Sequence, residues 1–259
     1  MNPNLLVVEN LTVTVAEKTI VNAASLEVPL LSVTALVGGS GSGKTTMGLA
    51  ILRLLPLGLV AHRGQGRIWF DGREILGLPP EHMRLLRGKE IGMIFQEPLY
   101  AFNPVFCVGD QIEEVLRAHS ALNARQRRAR ILELLDLVGL PDPKRTAGNY
   151  PHQLSGGMRQ RAMIAQAIAA GPKLIIADEP TSNLDVTLQA KIMELFRKLK
   201  DELKLSILLI THDLGMVSHM ADRVAVMTQG KIVEQGMTNE VLKNPQHAYT
   251  QTLMEAIEV

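Results

Sequence analysis

The sequence predicts an α/β protein built on a largely parallel sheet, and three observations predict it. Apolar runs of strand length recur at residues 91–95, 174–177, 206–210 and 223–227, with helical stretches between the later ones. Residues 36–37 end a β-branched segment and run into a glycine loop, after which residues 45–55 look helical. Residues 97–170 change texture to helix, as a block inserted between strands.

Each element has its own signal. Residues 5–15 and 25–37 are rich in β-branched side chains and read as strands. Residues 67–70 (RIWF) form a short strand before the turn pair Asp71-Gly72, and 91–95 (IGMIF) form a buried one. Inside the helical block, residues 111–119 and 124–138 have helical spacing, and the second ends near Gly139. Leu140-Pro141-Asp142-Pro143 is a loop, because two prolines this close break a helix. Residues 158–170 form an apolar, alanine-rich helix. The basic run at 125–130 (RQRRAR) has no interleaved aromatics, so it reads as a solvated helix face rather than a nucleic-acid contact.

Composition narrows the classes. The chain has 259 residues, 46% of them hydrophobic, enough for a large packed core. Charged residues make up 20% and the net charge is +1, which gives no global attraction for nucleic acid. The single cysteine, Cys107, cannot form an internal disulfide or a four-cysteine metal site, and a reducing compartment is expected. The start, MNPNLLVVENL, lacks a basic region and does not read as a signal peptide. No apolar run approaches the ~18 residues needed to span a membrane. If the chain works at a membrane, something else is expected to hold it there.

The motifs carry the chemistry. Residues 38–45 (GGSGSGKT) match G-x-x-x-x-G-K-[ST] between a strand and a helix, the context of a P-loop. Backbone N–H groups of Gly38, Gly39, Ser40, Gly41, Ser42 and Gly43 can then point at phosphates. Lys44 sets its charge on the β- and γ-phosphates, the Thr45 hydroxyl is placed for Mg²⁺, and Thr46 continues the set. Residues 174–180 (LIIADEP) end a buried strand in two carboxylates. Asp178 fits a Mg²⁺ partner and Glu179 a general base, although acids there can also cap the next helix. His212, in the THD after the strand 206–210, can donate to a γ-phosphate from a sheet edge. A lone histidine is more often structural. Gln96, after the strand 91–95, can sense a metal or a water, or be an ordinary loop amide. Residues 152–161 (HQLSGGMRQR) form a second glycine turn at a helix start, again suited to an anion.

Together these residues closely resemble the ATP-binding-cassette ATPase family over nearly the whole chain. The motifs occur in the family's order. They are the Walker A loop 38–45, the Q-loop Gln96, the signature Leu154-Ser155-Gly156-Gly157 with Gln160, Walker B ending at Asp178, and the catalytic Glu179. The D-loop Ser182-Asn183-Leu184-Asp185 and the switch His212 complete them. The resemblance implies a P-loop NTPase with a RecA-like core, an N-terminal antiparallel β subdomain and an inserted α-helical subdomain. It divides residues 1–259, one domain, into a core (1–96 and 171–240), a helical part (97–170) and a tail (241–259). It implies ATP as substrate and Mg²⁺ as cofactor, with Thr45, Gln96 and Asp178 as metal ligands. Two such cassettes pair head to tail, each ATP lying between one chain's Walker A and the other's signature. That accounts for two phosphate cradles on one chain.

A finer resemblance is to the peptide/nickel importer subfamily. Residues 96–105 (QEPLYAFNPV) look like its Q-loop region, and 244–253 (NPQHAYTQTL) look like its C-terminal "HPYT" segment, with Ala248 replacing the proline. The length resembles the short, nickel-type subunits. The resemblance implies integral membrane permease subunits as partners, a second and similar or identical ATPase, an extracytoplasmic binding protein acting indirectly, and no nucleic acid. It implies a peripheral protein on the cytoplasmic face of the cell membrane. Phe102, Phe106 and Tyr100 are candidates for a permease groove or for core packing.

Two departures stand out. The family usually stacks adenine on an aromatic near the end of the first strand, and no Tyr, Phe or Trp lies near Val15. Such stacking is worth about 1–3 kcal/mol by analogy with nucleic-acid platforms. Discrimination of ATP from GTP is therefore expected to stay below about a hundredfold, ~2.7 kcal/mol. The Gly-Glu turn usual before the Walker strand appears as Leu30-Leu31. Two other classes fit the sequence less well. A non-transport member acting on DNA or the ribosome usually has two cassettes or a long insertion. A P-loop kinase or GTPase would leave the signature and His212 without a role.

Overall fold

The first strand is set by where its apolar side chains fall. Leu6 and Val8 are buried, then Leu11 and Val13, so the inward phase shifts by one residue between the pairs. Asn10, at φ 50°, absorbs the extra residue as a bulge, and asparagine tolerates that left-handed backbone. The chain's structure is a computed structural model that describes residues 3–16, 18–56, 59–61, 66–182 and 184–255.

In chain order the elements begin with β1 (Asn4–Val15), β2 (Lys18–Pro29), β3 (Val33–Val37), α1 (Lys44–Ile51), β4 (Leu59–Ala61), β5 (Arg67–Phe70), β6 (Arg73–Glu74) and α2 (Pro80–Lys89). Next come β7 (Ile91–Ile94), α3 (Pro98–Ala101), α4 (Val108–His119), α5 (Ala124–Leu137), α6 (Pro143–Gly148), a 3₁₀ turn (Pro151–Gln153) and α7 (Gly156–Ile168). The last are β8 (Leu174–Asp178), α8 (Val186–Leu203), β9 (Ser206–Thr211), α9 (Leu214–Met220), β10 (Arg223–Thr228), β11 (Lys231–Met237), α10 (Thr238–Lys243) and α11 (Ala248–Glu255). The chain divides into two compact units, Met1–Arg84 with Leu205–Val259, and Leu85–Lys204.

The first unit holds an antiparallel sheet ordered β2-β1-β5-β6, with β4 also paired to β1. It also holds the strands β11-β10-β3-β9, in which β3 is parallel to both β10 and β9. All five residues of β3 are buried, as are all six of β9. Such wholly buried, mostly apolar strands are what a parallel sheet covered on both faces requires. Ala35, Val37, Val217, Val224, Val226 and Val241 form one of its core clusters. Each fully buried valine there stabilises by roughly 1.5–3 kcal/mol.

Two expectations need correction in this unit. Residues 25–37 are not one strand: β2 stops at Pro29 and β3 starts at Val33. The break is Leu31, whose φ of 57° no strand can continue. The Leu-Leu pair itself does not announce that turn, although the family resemblance puts a turn at this place. The helix expected over 45–55 ends at Ile51, because Arg53 takes φ 52° and the Leu54 N–H turns back to the Leu49 carbonyl. That is a helix-terminating bond pattern, here without a glycine.

The second unit pairs β7 with β8 in parallel and carries the helices α3 to α8. Val108, Ile112 and Leu116 line one face of α4 at helical spacing and are buried. Asn123 and Gln126 close a capping box on α5. The basic run lies on α5 as expected. Arg125 and Arg128 are exposed, Arg127 pairs with Glu113 at 3.0 Å, and Arg130 pairs with Glu133 at 3.1 Å. Among the described residues, no helix is long and apolar enough to cross a membrane.

Candidate functional site

In the first unit the glycine loop leaves the C-terminal end of buried β3, the edge where open α/β sheets bind ligands. Glycine is required at two of its positions. A Cβ on Gly38 would stand 2.0 Å from the Met227 carbonyl oxygen. At Gly43, φ is 104° and a Cβ would lie 2.8 Å from the Ile20 carbonyl oxygen. Lys44 opens α1 but is only 7% exposed. Its ammonium turns back to donate to the carbonyls of Gly38 (2.8 Å) and Gly39 (3.0 Å). A buried cation needs such acceptors. Ser42 is buried and its carbonyl accepts from the Gly230 N–H at 3.0 Å. Ser40, Gly41 and Thr45 are exposed, and Thr46 is half-buried.

His212 sits on the same edge. Val37 of β3 pairs with Thr211 of β9, so His212 follows the strand end that neighbours the loop. Its side chain is exposed. The next residue has a structural task, since Asp213 accepts from the Met216 N–H at 3.0 Å and caps α9.

In the second unit a parallel strand pair gathers three of the candidates. Ile94 of β7 pairs with Ala177 of β8, which sets Gln96 beside Asp178 and Glu179. Asp178 is 2% exposed at the end of a wholly buried strand. Glu179 takes φ 46°, a left-handed backbone that a non-glycine residue adopts only at a cost of about 1–3 kcal/mol. Ser182 braces it: its hydroxyl hydrogen-bonds the Glu179 carbonyl (3.0 Å) and is also 3.2 Å from the Gln96 carbonyl. Asn183 lies outside the described residues. Asp185 is exposed and caps α8 through the Leu188 N–H at 2.9 Å.

The second glycine turn begins α7, two residues earlier than expected. Leu154 is buried, and Ser155 is the N-cap, its hydroxyl accepting from the Met158 N–H at 3.3 Å. Gly156 is exposed and Gly157 buried. Gly156, Arg159 and Gln160 share a cleft of about 200 Å³ with Glu97, Pro98, Ser182 and Leu184. The Gln160 side chain is 3% exposed, and its Nε2 has no hydrogen-bond partner. The same unit has a larger cleft of about 470 Å³ lined by Cys107, Asp110, Glu113, Arg128 and Lys144 among others. Phe102 is 3% exposed and belongs to the core, whereas Phe106 is 52% exposed. The Tyr100 side chain lies outside the described residues.

The family model described as ABC transporter matches residues 21–182. The chain belongs to the ABC transporter family. A peptidoglycan transport ATP-binding protein, YejF of Agrobacterium fabrum, is 52% identical over 86% of this chain and 41% of its own length. The oligopeptide transport ATP-binding protein OppD of Bacillus subtilis is 48% identical over 86% of this chain and 62% of its own. The chain thus spans about two fifths and three fifths of these relatives. Among solved structures, a dimer of the ATP-binding cassette MJ0796, in a post-hydrolysis state with ADP and phosphate, superposes with a TM-score of 0.78. It is 28% identical over 90% of this chain and 98% of that one. The fold is accordingly the mixed α/β fold of a P-loop cassette.

Two features of the site escaped sequence reasoning. The Tyr249 hydroxyl accepts from the Gly39 N–H at 2.8 Å, although the segment containing it had served only as a subfamily mark. The strained Glu179 backbone had no sequence signal at all. At the end of β1, Val15 pairs with Lys18 and Leu59, and no aromatic side chain belongs to either pairing.

Proposed function

We propose that this chain binds and hydrolyses ATP and that hydrolysis drives an importer for peptides. The observation that carries the reading is the glycine loop after β3, with Lys44 turned into its carbonyls. A polyphosphate entering there exchanges those carbonyls for stronger acceptors at no cost in new burial of the lysine. Backbone N–H groups from Gly38 to Thr46 hold the phosphates. The relatives named for peptides and oligopeptides favour a peptide cargo over nickel or a metal chelate.

Mg²⁺ fits the donors present. Among the described residues there is no cluster of three or more His, Cys, Asp or Glu to cage a metal alone. A hard cation that shares one carboxylate and a hydroxyl with substrate phosphates needs no such cage. Thr45 would supply the hydroxyl, Asp178 the carboxylate and Gln96 an amide oxygen; when bound, the ion neutralises charge on the phosphates. Glu179 takes the proton from the attacking water, and His212 donates to the γ-phosphate. The turn Ser155–Gly157, with Leu154 and Gln160, binds the nucleotide of a partner cassette in a head-to-tail dimer, and Asp185 meets that partner. The MJ0796 dimer supports this pairing by likeness.

In this reading residues 97–170 serve permease contact, 1–96 with 171–240 serve catalysis, and 241–259 form a tail. The larger cleft, whose lining starts at Cys107, and the exposed Phe106 that precedes it in the chain receive a cytoplasmic segment of an integral membrane permease, which holds the subunit at the membrane's cytoplasmic face. The test is Glu179→Gln. It keeps nucleotide binding and removes the base, so turnover should fall by about 10²–10⁴-fold. ATP-bound dimer should accumulate on gel filtration, alone or with a second cassette. Full turnover in the variant would remove Glu179 as base.

A further inference from the structure

The C-terminal helix reaches back to the nucleotide loop, and none of the roles above uses that contact. Glu234 on β11 starts it. One of its carboxylate oxygens accepts from the Gln246 N–H at 2.8 Å, the other from the His247 N–H at 3.1 Å. His247 Nδ1 then accepts from the Tyr249 N–H at 3.1 Å. This fixes the first turn of α11 and aims Tyr249. The ring packs on the core cluster containing Val37, the last residue of β3. Its hydroxyl accepts from the Gly39 N–H at 2.8 Å.

The peptide that joins Gly38 to Gly39 is a junction. Its N–H, on Gly39, donates to the Tyr249 hydroxyl, while its carbonyl, on Gly38, accepts from Lys44 Nζ at 2.8 Å. A peptide plane is rigid, so fixing its N–H fixes the direction of its carbonyl. Tyr249 therefore acts on Lys44 through one peptide unit. The fit is close: a Cβ on Gly39 would stand 3.1 Å from the tyrosine oxygen.

We propose that Tyr249 is a positioning residue for the nucleotide loop, and that the segment 244–255, latched by Glu234, sets the chain's affinity for ATP by holding the Gly38–Gly39 peptide and hence Lys44. The proposal rests on the reading of residues 38–46 as the nucleotide site. It predicts that nucleotide affinity responds to changes in a tail that need not touch nucleotide.

The experiment is titration of the full chain with Mg·ATP, using a fluorescent ATP analogue as reporter. Tyr249→Phe keeps the ring's packing and deletes only the hydroxyl. It should weaken binding about 3- to 10-fold, the usual worth of one hydrogen bond. Amide hydrogen exchange across residues 38–43 should rise in the same variant, while the melting temperature stays near the original. Glu234→Ala should weaken binding too, and the double variant should lose less than the product of the single losses, since both act through one strap. A tyrosine that merely packs would give the original affinity and exchange in Tyr249→Phe; that result overturns the inference, as would fully independent effects in the double variant. Lys44→Ala serves as the control. If it abolishes binding while Tyr249→Phe changes nothing, the inference alone falls. If Lys44→Ala still binds normally, the nucleotide-loop reading falls and takes the inference with it.

Discussion

Leu31 shows how one residue sets a boundary that no composition rule reveals. Its φ of 57° costs a leucine about 1–2 kcal/mol, and its side chain is 52% exposed, so little burial offsets that cost. The turn is held from outside the residue: the Leu31 N–H donates to the Ser206 hydroxyl at 2.8 Å, and the Leu30 N–H donates to the Pro3 carbonyl at 3.0 Å. Asparagine adopts this backbone more readily, so Leu31→Asn should raise stability by up to about 1 kcal/mol. Leu31→Val, β-branched, should lower it by about 1–2 kcal/mol. Urea midpoints check the order, and a valine variant more stable than the asparagine variant would contradict the strain. Residues of this kind also explain what the sequence left hidden. Gly38, Lys44 and Asp178 were legible because their chemistry is local: a loop, a cation and a carboxylate between predictable elements. Tyr249 was not, because its partner Gly39 lies 210 residues away and only folding makes the pair.

Among the elements, β8 and β9 were read almost to their ends because runs of consecutive apolar residues such as LIIA and ILLI have few other uses, whereas β3 was read only as the end of one strand over 25–37. β2 was read only in part, since its middle carries Asn22, Ala23 and Ala24, residues of weak strand preference. Its pairing with β1 supplies what propensity lacks. The contact between β11 and α11 has a titratable latch. Burial raises the Glu234 carboxyl's affinity for a proton, but the hydrogen bonds from Gln246 and His247 outweigh it and hold the pKa below its ordinary value of 4.5. The sign follows from that depression. The carboxylate form is favoured by folding, so its contribution is full above the unfolded value and is lost as pH falls through the lower folded one. Between neutrality and about pH 5 this latch should leave stability unchanged, with a loss developing at more acid pH. Glu234→Gln should abolish that part of the acid sensitivity. Thermal melts of both proteins from pH 7 to pH 3 provide the comparison, and parallel curves would show that the latch does not titrate as described.

At the scale of the whole molecule, family membership rests on the match over residues 21–182, while the function of an importer rests on partners the chain must find. Among the described residues no helix is long and apolar enough to cross a bilayer. The account needs a membrane partner seated at the cleft beside Phe106, a large apolar side chain that the fold leaves half exposed. The measurement that tests this most directly is co-purification. The tagged chain, expressed in its native cell, is recovered from membranes solubilised in mild detergent, beside a Phe106→Asp variant. The account predicts a polytopic membrane protein in the first sample, with a second cassette if the pair is unlike, and a marked loss of that protein in the variant. Recovery of soluble partners alone, or of ribosomes, would contradict the importer and turn the same ATPase toward a non-transport task.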